Sequence, residues 1–189
     1  EAGADSLLGG IGNDTIYAGD NYDTIRGGDG DDQAWGGNGR DLVFLGNGND
    51  IFWDNGQNDA NGHDTIWGGA GNDTVNGGGG NEVIYGEAGD DSLLGGIGND
   101  TLWGGTGNDT LTGGNGADRF VFATGHGSDV ITDFENGIDV IRLATGAADF
   151  SAVTVTAQGS DTLVQFSDVS ILLAGVDSSL IDASDFIFG

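Results

Sequence analysis

Thirteen acidic residues of the chain stand in a single phase. Asp5, Asp14, Asp23, Asp32, Asp41 and Asp50 are nine residues apart. After one step of fourteen the series resumes at Asp64, Asp73, Glu82, Asp91, Asp100, Asp109 and Asp118. Two residues before each acid is Gly, or Asn21 in one unit, the residue types that best tolerate positive φ. Two residues after each acid is an apolar side chain: Leu7, Ile16, Ile25, Ala34, Val43, Phe52, Ile66, Val75, Ile84, Leu93, Leu102, Leu111 and Phe120. Carboxylates set beside bare, curling backbone offer two kinds of oxygen donor. The chain holds 4 Lys+Arg against 31 Asp+Glu, a formal net charge of −27. Such a surface repels nucleic acid and anionic lipid and calls for a cation as partner.

Other chemistries find little to work with. The four basic residues are all Arg (Arg26, Arg40, Arg119, Arg142), Cys is absent, and the two His, His63 and His126, are isolated. No H-E-x-x-H or G-x-S-x-G motif occurs, and no Lys follows any Gly-rich turn. The pool of nucleophiles and bases is poor, so the chain by itself is not expected to be an enzyme. Without Cys, a disulfide framework and a Cys-rich zinc site are excluded. No apolar run is long enough to span a bilayer, and the N-terminus lacks the pattern of a Sec-type signal peptide.

The elements that position these acids follow from the period. Nine residues rich in Gly make a poor helix. A short strand such as DTLWG after a Gly-rich turn suits them better, and its single inward apolar residue is buried only when many units stack. The expected fold is all-β, with residues 1–121 a repeat solenoid interrupted by a five-residue insertion at 54–58. Of the 40 Gly, 33 lie in 1–121 and 7 in the rest, so a boundary is expected there. Residues 122–189 alternate apolar and polar residues between Gly/Asn/Asp turns, which predicts a β-rich cap with a short helical turn at 177–185. The abundance of Gly and like charge would otherwise predict disorder, unless something neutralises the acids.

The stretch GGIGNDTLWGGTGNDTLTGGNGADRF (95–120) resembles the calcium-binding RTX nonapeptide repeat, G-G-x-G-x-D-x-U-x, and the resemblance covers residues 1–121. It implies a right-handed parallel β-roll with two nonapeptides per turn, so about six turns and a length of roughly 30 Å at the usual strand spacing. It also implies multiple calcium ions, each between one turn and the turn 18 residues on. The earlier turn gives its second and fourth carbonyls and its acid, the later turn its first and third carbonyls and its acid. Carried over, one site is Gly69, Gly71 and Asp73 with Gly86, Ala88 and Asp91. A second is Gly96, Gly98 and Asp100 with Gly113, Asn115 and Asp118. A third is Gly10, Gly12 and Asp14 with Gly27, Asp29 and Asp32. Gly28 and Gly30, and Gly104 and Thr106, hold equivalent positions in other turns. Thirteen turns allow eleven pairings. About seven to nine are expected to fill well, because Glu82, Ala60, Glu87, the Asn21–Tyr22 turn and the insertion depart from the pattern.

Two features lie outside the acid phase. The residue three after each acid is often aromatic, giving two expected rows: Phe44, Trp67, Tyr85 and Trp103 on one sheet, and Tyr17, Trp35 and Trp53 on the other. They could stiffen the roll or contact a polysaccharide. The order GADRFVF, DVITDF, GIDVIRL resembles the region after the repeats of serralysin-type secreted proteins, and the terminal DFIFG resembles a type I secretion signal. The resemblance implies a module of a secreted bacterial protein. Such a module folds on extracellular calcium after passing the type I secretion machinery, and acts in a structural, adhesive or chaperone-like folding role. The alternative is the non-catalytic C-terminal half of an enzyme, such as a serralysin-like metalloprotease or an alginate epimerase. The chain opens inside a repeat unit at Glu1, so an upstream catalytic or adhesive domain is expected.

Overall fold

The computed structural model describes residues 3–54 and 62–189; Ala60 and most of the expected insertion lie outside the described residues. The strands, in chain order, are β1 (Ser6–Ile11), β2 (Thr15–Asp20), β3 (Thr24–Asp29), β4 (Gln33–Asn38), β5 (Leu42–Asn47), β6 (Ile51–Trp53), β7 (Thr65–Ala70), β8 (Thr74–Asn76), β9 (Val83–Ala88) and β10 (Ser92–Ile97). They continue with β11 (Thr101–Thr106), β12 (Thr110–Asn115), β13 (Arg119–Phe122), β14 (Ser128–Ile131), β15 (Val140–Leu143), β16 (Thr154–Gln158), β17 (Asp161–Phe166), β18 (Val169–Leu173) and β19 (Phe186–Phe188).

Each repeat makes one strand, and successive strands alternate between two sheets. One sheet runs β1-β3-β5-β7-β9-β11-β13-β15-β19; the other begins at β2 and runs through the even strands to β14, then β18, β17 and β16. Within the roll every pairing is parallel and offset by one full turn, as in Leu93 opposite Leu111 and Leu102 opposite Phe120. The result is the parallel β-roll expected for the repeat.

The strand pleat explains the period. Along β10, Leu93 and Gly95 point inward while Ser92 and Ile97 face solvent. Each strand therefore sends one apolar side chain and, in most units, one bare glycine into the interior. The apolar series from Ile16 to Phe120 forms one continuous core; Leu7, at the N-terminal edge, packs against it partly buried. The turns need glycine for two reasons. Gly98 has φ of 143°, and a side chain there would collide with the Gly80 carbonyl of the preceding turn. Where the sequence offers Asn21 and Glu87 instead, they too adopt positive φ, 93° and 77°.

The coil makes about seven turns rather than six. The difference arises because β14 and β15 continue both sheets beyond the last nonapeptide, pairing in parallel with β12 and β13. The chain then turns back as an antiparallel hairpin, β16–β17–β18, and ends with β19 parallel to β15. Two short 3-10 helices, Ser178–Leu180 and Ala183–Asp185, fill the expected helical turn. The insertion does not break the register: Leu42 pairs with Thr65 and Ile51 with Thr74 across it.

Because each inward apolar residue fills one layer of the core, truncating one leaves a void its neighbours cannot fill. Leu102→Ala is expected to cost about 2–5 kcal/mol in urea unfolding with calcium present. Leu8→Ala, at a side chain 73% exposed, is expected to stay within ~0.5 kcal/mol.

Candidate metal centres

The acids of the repeat are buried at the corner where each turn meets its strand. Asp32, Asp50, Asp73, Asp91, Asp100, Asp109 and Asp118 are each at most 2% exposed, and Asp5 and Asp14, at the N-terminal edge, are half-buried. Each such carboxylate has two different surroundings. One oxygen accepts a hydrogen bond from the backbone N–H of the acid one turn earlier. The Asp5 N–H donates to Asp23 Oδ1 at 2.7 Å, Asp73 N–H to Asp91 at 2.8 Å and Asp100 N–H to Asp118 at 2.8 Å. Across the insertion, Asp41 N–H reaches Asp64 Oδ1 and Asp50 N–H reaches Asp73 Oδ1, both 23 residues on. The expected interruption of partner register between Asp50 and Asp73 does not occur; the rungs form across the insertion, because the strands on either side pair in register.

The second oxygen is buried without a partner. This holds for Oδ2 of Asp5, Asp14, Asp23, Asp32, Asp41, Asp50, Asp73, Asp91, Asp100, Asp109 and Asp118, and for both oxygens of Glu82. A row of orphaned anionic oxygens is far too costly to leave bare. Several face another oxygen across a glycine. A methyl group on Gly9 would meet Asp14 Oδ2 at 2.7 Å and the Gly27 carbonyl at 2.6 Å. One on Gly68 would meet Asp73 Oδ2 at 2.5 Å and the Gly86 carbonyl at 2.8 Å. Gly95 stands likewise between Asp100 Oδ2 and the Gly113 carbonyl, and Gly86 between Asp91 Oδ2 and the Gly104 carbonyl. The glycine leaves open a cradle lined by oxygens, which suits a hard cation.

The backbone oxygens of the expected sites are also brought together. The second-position carbonyls point along the stack: that of Gly10 lies under Gly28, and that of Gly96 under Gly114. The fourth-position carbonyls do the same, Gly12 under Gly30 and Gly71 under Gly89. Third-position carbonyls are already engaged. Asp29 O accepts from Gly12 N–H (2.6 Å), Ala88 O from Gly71 N–H (2.8 Å), Thr106 O from Gly89 N–H (2.9 Å) and Asn115 O from Gly98 N–H (2.8 Å). Each retains a second lone pair. Among the described residues no three Asp, Glu or His side chains stand close enough to hold a metal by themselves, so a cation here must draw on backbone carbonyls.

Comparison with known proteins agrees with this geometry. The RTX calcium-binding nonapeptide repeat matches four stretches, residues 1–25, 20–52, 60–93 and 94–129, more than half of the chain. The chain belongs to the RTX calcium-binding repeat family. Its repeats bind calcium, and several copies imply several ions. No curated protein matches. Among solved structures, the extracellular lipase LipA from Serratia marcescens superposes over 100% of this chain and 41% of its own, with a TM-score of 0.52 and 20% identity. The AlgE6R3 subunit of the Azotobacter vinelandii mannuronan C5-epimerase covers 62% of this chain and 78% of its own, with a TM-score of 0.51 and 30% identity. The chain thus spans about two fifths of the lipase.

Two further ladders of the RTX roll escaped the repeat phase. The first continues the acids into the tail. Asp109 N–H donates to Asp129 Oδ1 (2.9 Å), and Asp118 N–H to Asp139 Oδ1 (2.8 Å). Both acids are buried, and Asp129 Oδ2 is unpartnered. The spacing there is not nine, but the rule of an apolar residue two places on still holds, at Ile131 and Ile141. The second ladder uses the residue before each acid. Asp31 N–H donates to Asn13 Oδ1, Asn49 N–H to Asp31 Oδ1 and Asn99 N–H to Asn81 Oδ1. His63 takes part as an acceptor, its Nδ1 receiving the Asn81 N–H at 2.8 Å. This ladder is exposed and runs opposite to that of the acids.

The aromatic rows form as the alternation of sheets requires. Tyr17, Trp35 and Trp53 stack with centroids 4.5 and 5.0 Å apart, and Phe44, Trp67, Tyr85 and Trp103 at 4.7, 5.4 and 6.0 Å. The Arg26 guanidinium covers the outer face of the Phe44 column at 4.5 Å. Rings inside a column spend their faces on each other, the faces a sugar would need, so stiffening of the sheet is the role the geometry supports.

Burial sets the protonation of the acids in the metal-free roll. It pushes Asp41 and Asp50 up to about 6, and Asp73, Asp91 and Asp118 up to about 7; the bond from the previous turn's N–H opposes the rise and neighbouring carboxylates add to it. Glu82 rises furthest, to about 10, through burial and then the carboxylates of Asp100, Asp64 and Asp54. A carboxyl whose value is raised on folding favours the folded state while protonated, and that contribution is lost as pH rises through 6–7. The chain stripped of metal is therefore expected to hold more β structure at pH 5 than at pH 8, where its acids are charged, the reverse of ordinary acid denaturation. Far-UV circular dichroism of the chelated chain at the two pH values checks the order. More β structure at pH 8 would show that the acids are not buried as described.

Proposed function

We propose that the chain is a calcium-driven folding module of a secreted bacterial protein, largely extended where calcium is scarce and closed into its roll where calcium is plentiful. The observation that carries this reading is the row of buried, unpartnered carboxylate oxygens along the repeats, several of them set against a carbonyl of the next turn. Calcium takes six to eight oxygens and adapts its geometry, and each pair of turns offers carbonyls and two acids. The sites would be built as the sequence pairs them: Gly69, Gly71 and Asp73 with Gly86, Ala88 and Asp91; Gly96, Gly98 and Asp100 with Gly113, Asn115 and Asp118; Gly10, Gly12 and Asp14 with Gly27, Asp29 and Asp32. A bound ion supplies the positive charge that the ladder lacks. The protein residues do the rest: the glycines let the turns approach, the N–H rung fixes each carboxylate, and the apolar layer keeps the strands in register.

Where calcium is absent, a net charge of −27 opposes compaction, so metal binding and folding are one event. An extracellular module of this kind responds in the range of about 10⁻⁴–10⁻³ M calcium. Secretion through a type I machinery would then deliver an extended chain to the place where it folds. A second reading is favoured by the lipase comparison, in which all of this chain covers only 41% of a longer extracellular enzyme. On that reading the module is the non-catalytic part of a secreted enzyme, and the catalytic residues lie elsewhere. Activity assays on the native protein recovered from culture medium separate the two: turnover of an ester, protein or polysaccharide substrate supports the enzyme, and none the structural module.

Calcium titration followed by far-UV circular dichroism tests the folding role. A coil spectrum is expected to turn cooperatively to β with calcium, and magnesium at the same concentration to leave it unchanged, because magnesium demands a tighter octahedron and keeps its waters. A complete β spectrum in chelator at pH 8 would sink the coupled-folding proposal.

A further inference from the structure

The insertion ought to damage the roll twice, once in the site before it and once in the site after it. Residues 55–61, where the second-position carbonyl of this turn would be sought, lie outside the described residues. Yet Asp54 sits in line with the first glycine of its neighbours. Trp35 pairs with Trp53 and Trp53 with Asn76, so the next residues, Gly36, Asp54 and Gly77, form one row. The Asp54 N–H donates to Asn76 O at 2.9 Å, which holds the residue in the strand line. Its side chain is 3% exposed.

The two oxygens of Asp54 face opposite ways along the stack. A methyl group on Gly36 would meet Asp41 Oδ2 at 2.7 Å and Asp54 Oδ1 at 3.5 Å. In regular turns the oxygen facing the acid there is the first-position carbonyl, as with Gly113 beside Asp100. A methyl group on Gly78 would meet Asp54 Oδ2 at 2.5 Å. In regular turns that place holds a second-position carbonyl, as with Gly78 itself beneath Gly96. One carboxylate thus stands where two backbone oxygens of an unbroken turn would be.

Both neighbouring sites have an oxygen in need. Asp41 Oδ2 is buried and unpartnered, and so are both oxygens of Glu82, which is 1% exposed. The longer arm of Glu82 reaches past Gly77 toward Gly80 and the Gly62 carbonyl, the fourth-position oxygen of the interrupted turn.

We propose that Asp54 bridges two adjacent calcium sites, its Oδ1 completing the site of Asp41 and its Oδ2 completing the site of Glu82 with the Gly62 carbonyl. The bridge supplies carboxylate oxygen at the two places where regular turns offer backbone carbonyls. It rests on the reading that the turns hold calcium, and the test separates the two.

The number of calcium ions bound per chain is measured by equilibrium dialysis at fixed free calcium, with folding checked by circular dichroism. Asp54→Ala removes both oxygens and is expected to bind two ions fewer than the native chain. Asp54→Asn keeps one ligating oxygen and is expected to bind one fewer. Asp31→Ala, at an exposed residue of the outer ladder, is expected to bind the native number. A loss of only one ion in Asp54→Ala, or native binding in both Asp54 variants, overturns the bridge while leaving the calcium reading intact. If Asp54→Ala does not fold, Asp54→Asn decides by itself, native binding overturning the proposal. A native chain that binds no calcium overturns the underlying reading instead.

Discussion

Everything in the roll depends on burying one carboxylate per repeat beside the backbone of its neighbour. The acid needs a donor on one side, which the N–H of the preceding turn provides. That single rung fixes the distance between turns and the direction in which the second oxygen points. Most turns set a glycine at the inward position next to it, where a side chain would crowd the carboxylate; buried Ala18 and Leu45 stand there in the turns of Asp23 and Asp50. The apolar layer one step along the strand then closes the interior. The polar and apolar halves of each repeat are thus two consequences of one placement, and neither is stable alone.

Much of this was legible in the sequence because the period is strict. The spacing of Asp91, Asp100, Asp109 and Asp118, with Leu or Phe two places on, is enough to give strands and an inward core, and the resemblance to the RTX repeat adds the alternation between sheets. The aromatic rows followed from the same alternation, and the helical turn at 177–185 from local pattern. Other features were hidden because they abandon the period. Asp129 and Asp139 continue the acid ladder at irregular spacing, and only the apolar residue two places on betrays them. The outer ladder through Asn13, Asp31 and Asn49 lay in positions that look variable, since Asn, Asp and His63 all supply the same acceptor to a backbone N–H. Asp54 reads as part of an inserted loop, and only three-dimensional register places it beside Gly36 and Gly78.

The insertion shows how the architecture divides labour. Strand pairing and the acid rungs pass across it at 23 residues as readily as they pass elsewhere at 18. The constraint is spatial register, not chain length, so additional residues are accommodated in a turn as long as the strand line is restored. At this turn a side chain, Asp54, stands beside Gly36 and Gly78 where regular turns place backbone oxygens.

Because every turn of the roll leans on its neighbours, length itself carries stability. The whole is a sum of one contribution from each turn and one from each contact between turns. A stack always has one contact fewer than it has turns, so the two uncovered ends weigh less as the stack grows. Duplication of a block, of the kind visible in the near-identity of residues 1–16 and 87–102, therefore strengthens every turn of the array, including those it leaves unchanged.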